Sequence, residues 1–217
     1  MPHYRSQGSV AGAAETGGAA LRAKAEHSWR RAAATGDREA QYCLGVLLQT
    51  RGDPEAEHWL RLVADDGHTT AQYNLGVLLD LTGTESARSE AQYWWRVAAE
   101  AGHAGAQYNL GVECQDRGAP RAAERWWRSA AESGHVDAQY QLGVCHHLRG
   151  EHDTAEQWWC IAALAGHLDA QHNVGTYRCR RGDLQAAEYW WRAAAEAGQP
   201  EATNTLGWLM RRRGGAG

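Results

Sequence analysis

One hexapeptide returns along the chain: AQYCLG at 40, AQYNLG at 71 and 106, AQYQLG at 138, AQHNVG at 170 and ATNTLG at 202. The intervals are 31, 35, 32, 32 and 32 residues. Self-similarity at such a period restricts a chain to architectures that stack one supersecondary unit on its own copies. A second block alternates with the first: EHWLRLVADDGH from 57, QYWWRVAAEAGH from 92, ERWWRSAAESGH from 124, EQWWCIAALAGH from 156 and EYWWRAAAEAGQ from 188. A degenerate copy, HSWRRAAATGD, begins at 27.

Both blocks read as helices. Ala138, Leu142, Gly143 and His146 fall on one face of the first, and Ala123, Trp127, Ala130 and Ala131 on one face of the second. Gly67, Gly102, Gly134, Gly166 and Gly198 follow the second helix where a left-handed capping residue belongs. Glu57/Arg61, Glu124/Arg128 and Glu188/Arg192 are i,i+4 pairs in the favourable order. The distance from the aromatic slot to its Gly and on to the next AQY is fixed, whereas the hexapeptide-to-Trp connection varies. LTGTESARSE is three residues longer than its equivalents, which predicts that the variation sits in surface loops along one rim.

The count predicts about twelve helices, from a lone second-type helix near Ala23–Thr35 to a lone first-type helix near Glu201–Arg212, and no strands. Residues 21–213 are the expected repeat array. The small, polar, Gly-rich residues 1–20 are expected to be a disordered tail.

The chain has 11 Trp and 8 Tyr but no Phe, as fixed aromatic positions in a repeat would give. A net charge of −4 supplies no pull toward nucleic acid or anionic membranes, so neither is an expected partner. The five Cys are odd in number and lack a CxxC pair, no apolar stretch approaches the length of a membrane span, and no secretory core opens the chain. These features lead us to expect a cytoplasmic protein.

AQYNLGVLL resembles the first helix of a tetratricopeptide repeat, and residues 122–135, AAERWWRSAAESGH, resemble the second helix and turn of a Sel1-like repeat. The resemblance covers roughly 23–212. It implies an all-α, right-handed superhelical solenoid of helix-turn-helix repeats that acts as an adaptor, holding a protein or peptide in the concave groove lined by the first helices. Two departures are visible: the short connection lacks the usual Sel1 insertion, and His or Gln replaces the tetratricopeptide Pro in the second turn.

Carried onto this chain, the groove holds Tyr42, Tyr73, Tyr108, Tyr140 and His172, with Val46, Val77, Val112, Val144 and Thr176 one turn on. An amide ladder of Asn74, Asn109, Gln141 and Asn173 runs beside it. On a helical wheel Tyr140 and Val144 lie opposite Ala138 and Leu142, which places them off the buried face, and Tyr offers broad contact area with one polar tip. The competing reading packs the rings between helices. The paired Trp residues and the Gly-His turns (His68, His103, His135, His167) recur in every unit and are therefore expected to be frame.

The fourth and fifth units break their own pattern: His146 and Arg178 occupy a slot held elsewhere by Leu48, Leu79 and Met210, and both join the expected contact residues. Cys145, His146, His147 and Cys179 lack compact ligand spacing, so no metal is expected there. No catalytic motif is present, and neither enzymatic activity nor a cofactor is expected. The alternative is a small-molecule- or metal-dependent enzyme or ligand carrier with a site in repeats four and five. Exposed solenoid ends favour association of copies.

Overall fold

The computed structural model describes residues 23–214, with side chains to residue 212; the tail expected at 1–20 lies outside the described residues. Among the described residues there are twelve helices and no strand. They are α1 (23–34), α2 (Arg38–Thr50), α3 (Glu55–Asp65), α4 (Thr69–Leu81), α5 (Glu85–Glu100), α6 (Ala104–Asp116), α7 (Pro120–Glu132), α8 (Val136–Leu148), α9 (His152–Leu164), α10 (Leu168–Arg180), α11 (Leu184–Glu196) and α12 (Pro200–Gly214). The chain forms two compact units, Met1–Ala101 and Gly102–Gly217. Within each, consecutive helices pack as antiparallel neighbours, even-numbered helices carrying the hexapeptide and odd-numbered ones the Trp block. This is the expected all-α stack of helix-turn-helix repeats.

Each letter of the hexapeptide has a contact. The Ala side chains at 71, 106, 138 and 170 are fully buried, where a larger residue would force the helices apart. The Gln that follows is buried at 72, 107 and 139, and its amide caps the preceding helix: Gln72 Nε2 donates to Ala64 O at 3.1 Å, and Gln139 to Ala131 O at 3.2 Å. Leu75, Leu142 and Val174 are wholly enclosed.

The Gly receives an indole. A Cβ placed on Gly143 would lie 2.3 Å from Cδ1 and Nε1 of Trp159, and the same clash arises at Gly76 with Trp95, Gly111 with Trp127 and Gly175 with Trp191. No real side chain tolerates such a separation, so only Gly admits the ring. The expectation that Trp builds the frame holds for this second Trp of each pair, which is buried in every unit. Trp159 and Trp191 also donate Nε1–H to the backbone carbonyls of Tyr140 and His172, both at 3.2 Å.

The Gly-His turns are helix junctions, as their recurrence implied. Gly134 and Gly166 take φ of 86° and 93°, the left-handed conformation that closes a helix. His135 then serves both neighbours: its backbone N–H bonds to Ala130 O at 3.0 Å, and its Nδ1 accepts from the N–H of Ala138 at 3.4 Å. His68, His103 and His167 cap through Nδ1 in the same way. Because Nδ1 accepts, the ring must be neutral with its proton on Nε2.

One expectation is corrected. The three extra residues before Trp94 do not enlarge a loop; they lengthen α5 to 16 residues against 13 for α7, α9 and α11. Thr84 caps the extension by accepting from Ala87 N–H at 3.2 Å, and the run Glu-Ser-Ala-Arg-Ser-Glu-Ala contains no residue that breaks a helix. The added turn continues an existing helix more cheaply than it would order a new loop.

Two outcomes test this frame. Gly143→Ala should destabilise the protein by about 1–3 kcal/mol, the usual penalty of overpacking. In a denaturant titration the loss should shrink when Trp159→Ala is combined with it. Burial lowers the pKa of His103, with His135 adding to the effect, and burial likewise lowers that of His135. Such groups contribute stability that is present above the ordinary imidazole value of about 6.5 and lost as pH falls below it. The thermal midpoint should therefore drop between about pH 7 and pH 5, above the range in which ordinary carboxylates titrate, and His135→Asn, a non-titrating cap, should flatten that slope.

Candidate partner-binding face

The tyrosine stripe is more enclosed than a wheel of its own helix suggests, because the next repeat covers it. Tyr42 stacks on His68 with ring centroids 4.6 Å apart, Tyr108 on His135 at 4.7 Å and Tyr140 on His167 at 4.3 Å. Every expected stripe residue is half-buried. The amide ladder meets the same tyrosines: Asn74 Nδ2 donates to Tyr42 Oη at 3.3 Å, and Gln141 and Asn173 hydrogen-bond the hydroxyls of Tyr108 and Tyr140. Burial pushes both of those phenols above their ordinary pKa. Tyrosine, amide and cap histidine thus meet at the seams between repeats, with ring edges and amide faces half-exposed. In the last repeat His172 takes the tyrosine's place, and Gln199 replaces the cap histidine, accepting from Ala202 N–H at 2.9 Å.

His146 and Arg178, the off-pattern pair, diverge. His146 is 7% exposed, which removes it from any surface a partner could touch. Its Nδ1 lies 2.5 Å from Glu151 Oε2, and its Nε2 is buried with no hydrogen-bond partner. Arg178 Nε lies 2.7 Å from the buried carboxylate of Glu156, whose other oxygen takes Arg181 at 3.0 Å. Cys145, His146, His147 and Cys179 do not gather: Cys145 packs beside the α7–α8 core and Cys179 beside Trp191 and Leu209. Among the described residues no three His, Cys, Asp or Glu side chains are grouped as a metal would need.

A cavity of about 720 Å³ opens where α6, α7 and α8 converge. Val112, Trp127, Val144 and Leu148 give it apolar walls, and Gln141 contributes an amide. The sequence places Val112 and Val144 in the stripe and Gln141 in the amide ladder beside it, and the cavity gathers those three. Arg121, Arg149, Glu124 and Glu151 stand at its mouth. Arg149 bridges Glu124 at 2.6 Å and Glu151 at 2.9 Å. That guanidinium, followed by His146, holds the Glu151 carboxyl down to about 2. Leu148 is 77% exposed, an apolar side chain at the lip of an apolar pocket. Leu148 and Arg149 carry no signal in the sequence, and Trp127 reads there only as frame, because the pocket is made by the tertiary approach of three helices. Among the described residues no helix is long and apolar enough to cross a membrane.

The helix pairs, Gly-seated indoles and recurring caps define an α-helical repeat protein. The Sel1 repeat model matches residues 69–103, 104–135, 136–167 and 168–199, well over half of the chain, and the chain belongs to the Sel1 repeat family. The resemblance read from the sequence is confirmed. Among solved structures it is similar to a protective antigen of uropathogenic Escherichia coli displaying an SLR fold, with 28% identity and a TM-score of 0.73 over 85% of this chain and 43% of the other. A Sel1 repeat protein from Oxalobacter formigenes shares 27% identity with a TM-score of 0.75, over 85% of this chain and 59% of that one. This chain therefore spans less than two thirds of either relative. YrrB, a TPR protein with an unusual peptide-binding site, shares the fold at 19% identity and a TM-score of 0.53, over 82% of this chain and 96% of its own. No curated protein matches by sequence.

The burial of His146 yields a test. Replacing it with the Leu found at the equivalent positions 48 and 79 removes a buried nitrogen without a partner, so His146→Leu should leave stability unchanged or raise it by up to about 1 kcal/mol in urea titrations.

Proposed function

We propose that the chain is a cytoplasmic protein-interaction scaffold that holds an extended or helical polypeptide segment along its even-numbered helices. Repeats of the Sel1 and TPR kind generally serve as protein-protein interaction scaffolds, and the composition adds no pull toward nucleic acid. The carrying observation is the α6–α7–α8 cavity: an apolar pocket bordered by Gln141 and by fixed charges of both signs. Interfaces of this kind draw most of their affinity from one anchor side chain seated in such a pocket and their orientation from the polar rim.

In this reading an apolar partner side chain enters beside Val112, Val144 and Trp127. The amides of Asn74, Asn109, Gln141 and Asn173 meet the partner's backbone, and the exposed edges of Tyr42, Tyr73, Tyr108, Tyr140 and His172 flank it. Arg178 contributes at a neighbouring face, while His146 acts only by holding Glu151. No catalytic step is assigned to these residues. Self-association through α12 belongs to the same proposal: among the described residues a Cβ on Gly207 would meet only its own Arg211 within 4 Å, whereas the matching Gly143 and Gly175 sit beneath indoles. Trp208 and Met210 are exposed on that helix.

The test uses two exposed leucines. Leu148→Asp, at the cavity lip, should reduce capture of the partner recovered on the immobilised wild-type chain by at least about tenfold, the scale of losing one anchor contact. Leu164→Asp, at a leucine equally exposed and outside the cavity, should leave capture intact. Circular dichroism should be unchanged in both. Equal capture by wild type and Leu148→Asp would overturn the reading.

A further inference from the structure

Three residues that the repeat does not require meet at one point. His147 stands where other repeats carry Gln49, Asp80 and Gln115, and Tyr177 where they carry Leu47, Leu78 and Glu113. His152 opens α9 at the position of Pro120 in α7 and Leu184 in α11. They come from three helices, and Tyr177 lies 30 and 25 residues beyond His147 and His152, yet their polar atoms converge. Tyr177 Oη lies 2.7 Å from His147 Nδ1 and 2.6 Å from His152 Nδ1.

We propose that His147 Nδ1, Tyr177 Oη and His152 Nδ1 form the ligand set of a site for one divalent transition-metal ion, Zn2+ or Cu2+. A bound ion ties α8 to α10 through the first turn of α9.

The donor chemistry suits such an ion. Imidazole nitrogen is the commonest ligand of zinc and copper, and two imidazoles with one oxygen donor leave a coordination position open. The phenol has a single proton to share between two facing nitrogens, so the site depends on one imidazole carrying its proton on Nδ1 and the other on Nε2. A cation displaces the phenol proton to solvent, the imidazole protonated on Nδ1 shifts its proton through solvent to Nε2, and all three lone pairs then meet at one centre.

The surroundings preset the site. Tyr177 is buried, and its ring meets the Trp159 indole edge-on at 5.4 Å, while the His147 ring lies 5.5 Å from the same indole. Two donors are thus held by packing. The third, His152, is exposed and free to move. Metal–nitrogen bonds of about 2.0–2.1 Å set neighbouring donors about 3 Å apart, so binding asks for a shift of a few tenths of an ångström from His152. A cavity of about 470 Å³ lined by His152, Asp153, Tyr177 and Arg180 opens on the site. It gives an ion a way in past Arg180 and Arg181, the latter paired with the Asp153 carboxylate.

The experiment titrates the full-length, metal-stripped chain with Zn2+ by calorimetry, alongside His152→Ala and Tyr177→Phe, which keeps the ring against Trp159. The wild type should bind one equivalent and gain thermal stability with added Zn2+, as any ligand of the native state produces. His152→Ala should bind at least about tenfold more weakly, the scale on which lost support of a metal site is felt. Titration with Cu2+ should give a visible phenolate-to-copper charge-transfer band that Tyr177→Phe abolishes. No binding by the wild type would overturn the proposal. So would one equivalent bound equally well by both variants, which would place the ion elsewhere in the chain.

Discussion

The contact between an indole and a helical glycine is the interaction on which the rest depends. Trp159 can lie against α8 only because Gly143 has no side chain, and the same pair recurs at Gly76, Gly111 and Gly175. The indole sets how closely the two helices of a repeat approach, and that spacing fixes where the next helix begins. The Ala and Gln of the following hexapeptide then pack and cap at the required positions, with Gln139 reaching Ala131 O and Gln171 reaching Ala163 O. Enlarging either member of the Trp–Gly pair would displace the junction histidines, and with them the stacked tyrosines.

Junctions join one repeat to the next, and ion pairs between helices, such as Arg61 with Glu90 and Arg178 with Glu156, add to them. His135 and His167 each close one helix, open another and support a tyrosine from the preceding repeat. The surface ion pairs, such as Arg128 with Glu124 and Arg192 with Glu188, are largely exposed and contribute at most a few tenths of a kcal/mol each. Arg149 differs in joining Glu124 of one helix pair to Glu151 of the next turn. It fixes the mouth of the cavity.

The period and its capping glycines made the frame legible from sequence alone, because both helices of a repeat declare themselves within one window of about thirty residues. The interplay between windows was hidden. A wheel drawn on α8 places Tyr140 opposite the core, yet His167, 27 residues later, stacks on that ring. The paired departure of His172 and Gln199 from the Tyr and His of other repeats was a visible trace of this seam. The longer connection before Trp94 reads as loop from its length alone, although Thr84 followed by helix-forming residues carries the signal of a helix start. Polarity in an apolar slot reads as function at His146; the fold instead buries the imidazole against Glu151. The convergence of His147, His152 and Tyr177 depends on three separate helices and had no local signature.

We propose that the odd-numbered helices are chiefly frame and that the chain meets its partner along the Tyr and amide face of the even-numbered helices and at the α6–α7–α8 cavity. Amide hydrogen exchange, measured with and without the bound partner, tests this residue by residue. Slowed exchange should appear over residues 112–116 and 141–151, which line the α6–α7–α8 cavity, with α9 and α11 unchanged. Protection confined to the faces bearing Tyr93 and Tyr189, which are exposed beside the Trp pairs, would contradict the account.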